Sequence, residues 1–198
     1  MSLVGNEAPD FTATVVTADG GFEEFTLSDR KGEKYVVLFF YPLDFTFVCP
    51  SELLAFDHRM DEFTKRGVEV VGCSVDSEHT HWAWRQTAIE DGGIGSLNYS
   101  LIADLDKEIA YQYDVLHEEK VALRGSFLID KEGVIQHAVI NNLPLGRNVD
   151  EMIRMVDALQ FHETHGEVCP AGWNAGDDGM KDTHDGVAEY LSKNADNL

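Results

Sequence analysis

The sequence predicts an α/β fold: a central mixed β-sheet with helices over both faces and a polar arm at the C-terminus. Three observations carry this. Tyr35–Tyr41 and Val68–Val75 are near-continuous apolar runs of strand length, the pattern of strands buried on both faces. Between them lies a stretch with apolar residues at helical spacing, which gives the strand–helix–strand order of a covered sheet. Apolar content then falls after about residue 165, where Gly and Asp become frequent.

Taken in order, Val15–Val16 and Phe22–Leu27 are parted by Asp19-Gly20-Gly21 and read as a short hairpin. Tyr35–Tyr41 is the first buried strand and stops at Pro42. A loop leads to Cys49-Pro50, and Leu53, Phe56, Met60 and Phe63 then mark one helical face. Pro50 suits the first helical position, where its missing N–H costs nothing, and Gly67 suits the stop. Val68–Val75 is the second buried strand. His79–Ile89 reads as a helix ending at Gly92-Gly93, Tyr99–Ala103 as a strand and Lys107–Tyr113 as a short helix. Ser126–Ile129 and Val134–Ile140 form a hairpin across Asp130–Gly133. Val149, Met152, Ile153, Val156 and Leu159 mark a long amphipathic helix, and Val187–Leu191 a helical piece within the arm. The expected organisation is a domain over residues 1–165 and an arm over 166–198, too poor in apolar side chains to fold alone.

Composition narrows the function. A 198-residue chain buries about 70% of its unfolded surface, enough for a full core without staples. Fifteen Lys and Arg against 36 Asp and Glu give a net charge of −21. Such a surface repels phosphate backbones and anionic lipid, which argues against nucleic acid and membrane as partners. No apolar run is long enough to span a bilayer, and no secretory pattern is visible at the N-terminus. Three cysteines, an odd number, do not make a disulfide framework. The expectation is a cytoplasmic protein whose cysteines are reactive or simply buried.

Cys49 stands where a strand's exit loop meets a helix start. Orphan N–H groups and a partial positive charge there favour a thiolate over a thiol. A more stable thiolate is also a weaker nucleophile, so speed at such a site must come from donors aimed at charge developing on the substrate. Thr46 lies three residues before Cys49, within hydroxyl reach if the loop curls. Arg124, ahead of an apolar strand, could hold an anion in its fork of donors, and Pro42 could shield the sulfur from water. Each residue alone has an ordinary structural explanation. Cys73, inside Val70–Val75, reads as core filler. His162, His165 and Cys169 have spacing that could suggest zinc, but no fourth ligand is nearby. The absence of any Cys-x-x-Cys argues against a general disulfide oxidoreductase.

Three separated segments resemble one family. Pro42-Leu43-Asp44-Phe45-Thr46-Phe47-Val48-Cys49-Pro50 is similar to the peroxidatic-cysteine motif Pro-x-x-x-Thr-x-x-Cys of the peroxiredoxins. Arg124–Asp130 resembles the family's second signature. Val168-Cys169-Pro170-Ala171-Gly172-Trp173 resembles the resolving-cysteine motif of the typical 2-Cys group, the alkyl hydroperoxide reductase C type. The likeness runs from Ala8-Pro9-Asp10-Phe11 to the arm. It implies a thioredoxin-like fold and a thiol peroxidase acting on hydrogen peroxide and small organic hydroperoxides. Cys49 would become a sulfenic acid, then a disulfide with Cys169 of the partner subunit, after local unwinding of the first helical turn. Thr46 and Arg124 would steady thiolate and peroxide, Pro42 would exclude water, and Glu52 and Arg147 would orient the arginine. No metal, haem or flavin is implied. The implied partners are thioredoxin or a flavoprotein disulfide reductase, and further copies of the chain in a homodimer and a ring of five dimers, with Phe45, Trp82 and Trp84 at subunit contacts. A holdase chaperone role when over-oxidised is the alternative from another class. The over-oxidation-prone members carry Gly-Gly-Leu-Gly and Tyr-Phe. This chain has Gly92-Gly93-Ile94-Gly95 and Tyr190-Leu191, from which intermediate resistance to inactivation is expected.

Overall fold

A computed structural model describes residues 2–198. The chain divides into two compact units, Met1–Val149 and Asp150–Leu198. The first begins with the expected hairpin, β1 (Thr12–Val16) and β2 (Phe22–Thr26), closed by a 3-10 turn at Leu27–Arg30. β3 (Tyr35–Phe40) is buried at every position. Then come α1 (Cys49–Asp57), α2 (Met60–Lys65), β4 (Val68–Ser74), α3 (Glu78–Gln86), β5 (Ser100–Ala103) and α4 (Glu108–Gln112). Two short strands, β6 (Leu116–His117) and β7 (Val121–Ala122), make a small ribbon of their own. β8 (Arg124–Ile129) and β9 (Ile135–Asn141) complete the sheet.

The seven strands run in the order β2-β1-β5-β4-β3-β8-β9. β3, β4 and β5 are parallel, and β1, β2, β8 and β9 pair antiparallel, so the mixed sheet expected from the sequence is the one observed. Alternation along β3 separates two cores. Val36, Leu38 and Phe40 join Val71, Cys73, Ile102 and Phe127 and are covered by Ile109, Ala110 and Tyr113 around α4. On the other face Phe39 stacks on Phe56 of α1, with ring centroids 4.1 Å apart, and Tyr41 meets Trp84 of α3. Helices therefore cover both faces. Gly72 of β4 makes the second face possible: a Cβ there would lie 2.8 Å from Leu101 Cδ2 and 2.9 Å from Phe39 Cζ.

Several local readings change. The single helix expected from Pro50 to its stop at Gly67 is two, broken at His58-Arg59, where Arg59 leaves helical geometry at φ −114°, ψ 9°. Pro50 is the second helical residue, because Cys49 is itself the first. The α3 helix stops at Gln86, and Ile89–Asp91 is a separate 3-10 turn. Trp84 is fully buried within the chain, against Tyr41 and Phe45, and so makes no subunit contact, whereas Phe45 and Trp82 are exposed.

The second unit holds α5 (Val149–His165), which begins one residue earlier, and α6 (His184–Asn194). The α6 helix opens on Thr183, whose hydroxyl accepts from Gly186 N, and extends the predicted helical piece at both ends. Among the described residues no helix is long and apolar enough to cross a membrane.

Candidate active site

The β3 strand delivers the chain to the C-terminal edge of the parallel strands, where open α/β sheets present their ligand sites. Pro42 is buried two residues beyond β3. The loop then curls so that Thr46 Oγ1 lies 3.0 Å from Cys49 Sγ and 2.8 Å from the Leu43 carbonyl. Phe45, between them, sits in the left-handed region at φ 54°. Cys49 is fully buried at the first position of α1, with Ser51 Oγ donating back to Val48 O and securing the first turn.

Arg124 enters from β8. Its Nη1 approaches Cys49 Sγ at 3.4 Å and donates to Glu52 Oε2 at 2.6 Å, while Nε donates to Leu143 O at 2.7 Å. Glu52, one turn along α1 from Cys49, is clamped from the other side by Arg147, whose Nε, Nη2 and backbone N donate to its carboxylate at 2.8, 3.0 and 2.9 Å. Arg147 Nη1 also donates to Phe40 O and Gly125 O, each at 2.7 Å, and the guanidinium lies 5.1 Å from the Phe39 ring centroid. The three charged side chains are at most 4% exposed. Two guanidinium groups against one carboxylate leave a single positive charge in a dry site, with the Cys49 sulfur 3.4 Å from Arg124 Nη1. Such donors, fixed in place and shielded from water, can both steady a thiolate and hold an oxygen that becomes negative.

The structure thus brings Cys49, Thr46, Glu52, Arg124 and Arg147 into one hydrogen-bonded group and buries Pro42 on the same loop. Cys169 lies in the second unit. It is half-buried, its thiol donates weakly to Ala158 O at 3.4 Å, and burial pushes its pKa up against a smaller pull from Arg154. All three cysteines are free. Cys73 belongs to the core, where burial pushes its thiol well up. His162 Nδ1 donates to Glu167 O and His165 Nδ1 to Phe161 O. Among the described residues no three His, Cys, Asp or Glu side chains gather to hold a metal. Sequence reasoning missed Tyr41 and His81, which close on Asp44 of the same loop at 2.8 and 2.7 Å. A polar residue inside a motif of apolar neighbours was the only signal available.

A buried free thiol at a helix start on a mixed sheet of this topology points to the class. Residues 4–138 match the AhpC/TSA family, and residues 158–193, which include Cys169, match the C-terminal domain of 1-Cys peroxiredoxin. The chain belongs to the AhpC/TSA family and is a peroxiredoxin, a thiol-dependent peroxidase. It is 57% identical over 194 residues to alkyl hydroperoxide reductase C of Helicobacter pylori strain J99, covering 98% of each chain. It is 53% identical over 191 residues to peroxiredoxin-2 of Mus musculus, covering 96% of each. The crystal structure of reduced Plasmodium vivax 2-Cys peroxiredoxin superposes with a TM-score of 0.96 at 50% identity, covering 97% of this chain and all of that one.

Proposed function

We propose that Cys49 is the peroxidatic thiol and Cys169 the resolving one, in a cycle that reduces hydrogen peroxide and small organic hydroperoxides. The Cys49 thiolate attacks the terminal peroxide oxygen. The O–O bond breaks, the departing oxygen takes a proton and leaves as water or alcohol, and Cys49 becomes a sulfenic acid. The thiolate of Cys169 of the partner subunit then attacks that sulfur, hydroxide leaves and is protonated to water, and a disulfide forms. An external dithiol returns two electrons by exchange; thioredoxin or a flavoprotein disulfide reductase fits this role. Thr46 and Arg124 hold the attacked oxygen, Glu52 and Arg147 aim Arg124, and Pro42 keeps water out. The observation that carries the reading is the pair of donors on one buried sulfur, Thr46 Oγ1 at 3.0 Å and Arg124 Nη1 at 3.4 Å.

The same reading makes residues 166–198 an arm that presents Cys169, the working unit a homodimer that assembles into a ring-shaped decamer, and the compartment the cytoplasm, where free thiols persist. Titration with peroxide followed by non-reducing electrophoresis tests it. A disulfide-linked dimer that vanishes in both Cys49→Ser and Cys169→Ser is expected. An internal disulfide in a monomer band would refute the intersubunit step. Holdase activity that survives Cys49→Ser while peroxide removal does not would place chaperoning outside this cycle.

A further inference from the structure

One buried polar cluster has no part in the cycle above. His81 of α3 sets Nδ1 2.7 Å from Asp44 Oδ2 and Nε2 3.0 Å from the Ile102 carbonyl of β5. The Tyr41 hydroxyl donates to Asp44 Oδ1 at 2.8 Å and lies 3.3 Å from His81 Nδ1. The Asp44 backbone N–H donates to Asp76 Oδ2, just past β4, which also accepts from Ser74 Oγ. The side chains of His81 and Asp44 are wholly excluded from solvent. A carbonyl oxygen only accepts, so Nε2 carries a proton, and the 2.7 Å contact holds a second proton shared between ring and carboxylate. Every contact converges on one residue of the loop that carries Thr46. The next residue, Phe45, is a bulky side chain at φ 54°, a conformation that persists only where the surroundings over-determine it. Its ring packs on Trp84 at 5.7 Å.

We propose that Asp44 and His81 are positioning residues for the peroxide step: their shared proton fastens Asp44 to α3, holds Phe45 in its left-handed conformation and so keeps the Thr46 hydroxyl at the sulfur. The proposal rests on the reading of Cys49 as the attacking thiol. The groups facing the pair are Tyr41 from the end of β3, Asp76 and Ser74 from the end of β4, and the uncharged Ile102 carbonyl from β5. Burial pulls the His81 pKa down, and the hydrogen bond and charge of Asp44 more than offset this, leaving it raised. Burial likewise raises Asp44, against the pull of His81. A raised histidine holds its proton fully below about pH 6.5 and loses it as the pH climbs through the higher folded value. The Asp44 carboxylate then faces an imidazole lone pair, and the fastening weakens on the alkaline side.

The test is stopped-flow tryptophan fluorescence of the full-length reduced protein mixed with hydrogen peroxide from pH 5 to pH 10. The second-order constant of the first oxidation should fall at alkaline pH. His81→Leu should lower it about tenfold at pH 7, the scale of one hydrogen bond to a charged group. Tyr41→Phe should lower it by a smaller factor, about threefold, with the fold retained. His81→Asn, which offers Asp44 an N–H that does not titrate, should recover most of the loss and abolish the alkaline fall. Wild-type rates in both His81→Leu and Tyr41→Phe, or an alkaline fall that persists in His81→Asn, overturn the proposal; if His81→Leu does not fold, the other two variants decide. Cys49→Ser is the separate control: a variant that still reacts at the wild-type rate would refute the underlying thiol assignment instead.

Discussion

At the sulfur, one hydroxyl proton has two claimants. Thr46 Oγ1 is within hydrogen-bond distance of both Leu43 O and Cys49 Sγ. Beside a thiol, the S–H donates to Oγ1 and the hydroxyl donates to the carbonyl; beside a thiolate, the hydroxyl turns to the sulfur. Thr46→Val removes this choice and is expected to slow the peroxide step about 10²–10³-fold, the usual loss of one preorganised donor, as measured by single-turnover kinetics. Glu52→Gln leaves two buried guanidinium groups without their carboxylate and should cost about 3–5 kcal/mol in denaturant unfolding. Much of this site was legible beforehand. Cys49, Thr46 and Arg124 follow from a helix start, a three-residue spacing and a guanidinium ahead of an apolar strand, and Glu52 and Arg147 from family likeness. His81 was not legible, because only the parallel crossover through β4 brings α3 back beside Asp44.

Among the elements, the apolar runs located β3 and β4 because strands covered on both faces tolerate few polar side chains. The break between α1 and α2 escaped because the buried spacing of Leu53, Phe56 and Phe63 continues across it, and neither Gly nor Pro marks the site. Two-residue strands such as β6 and β7 are too short to show a period. Within β4, Gly72 is fixed by packing rather than by dihedral need. Gly72→Ala should cost about 1–3 kcal/mol by overpacking against Leu101 and Phe39, read as a lower thermal midpoint with the fold retained. Gly93 is held harder still, since a Cβ there would meet the Thr87 carbonyl oxygen at 2.0 Å. The Gly92-Gly93-Ile94-Gly95 segment therefore keeps its path for reasons internal to its own turn.

For the molecule as a whole, the expected architecture and the family agree with the observed sheet and its relatives, while the division of the chain into units was read only coarsely. The drop in apolar content marks residue 166, yet contacts separate the chain at Asp150, since α5 packs within the second unit through pairs such as Phe161 with Trp173 and Arg154 with the Trp173 carbonyl. Composition cannot reveal which neighbours an amphipathic helix chooses. In that unit Leu191 is exposed beside Tyr190. If a second aromatic ring there firms the arm, Leu191→Phe should raise the sulfinic acid yield per turnover above that of the wild-type chain, which should itself be intermediate. Mass spectrometry of Cys49 after repeated peroxide cycles checks both, and equal yields would remove Leu191 from the account.

The Glu52 clamp also sets a tether length. Four donors from Arg124 and Arg147 hold that carboxylate, so only Cys49, Pro50 and Ser51 can peel away from α1 without breaking a buried ion pair. Each residue passing from helical to extended chain gains about 2 Å, so the sulfur's radius of excursion is about 6 Å. In the proposed cycle a resolving thiol must come within that radius, and a longer lever would require uncoupling the two arginines from Glu52.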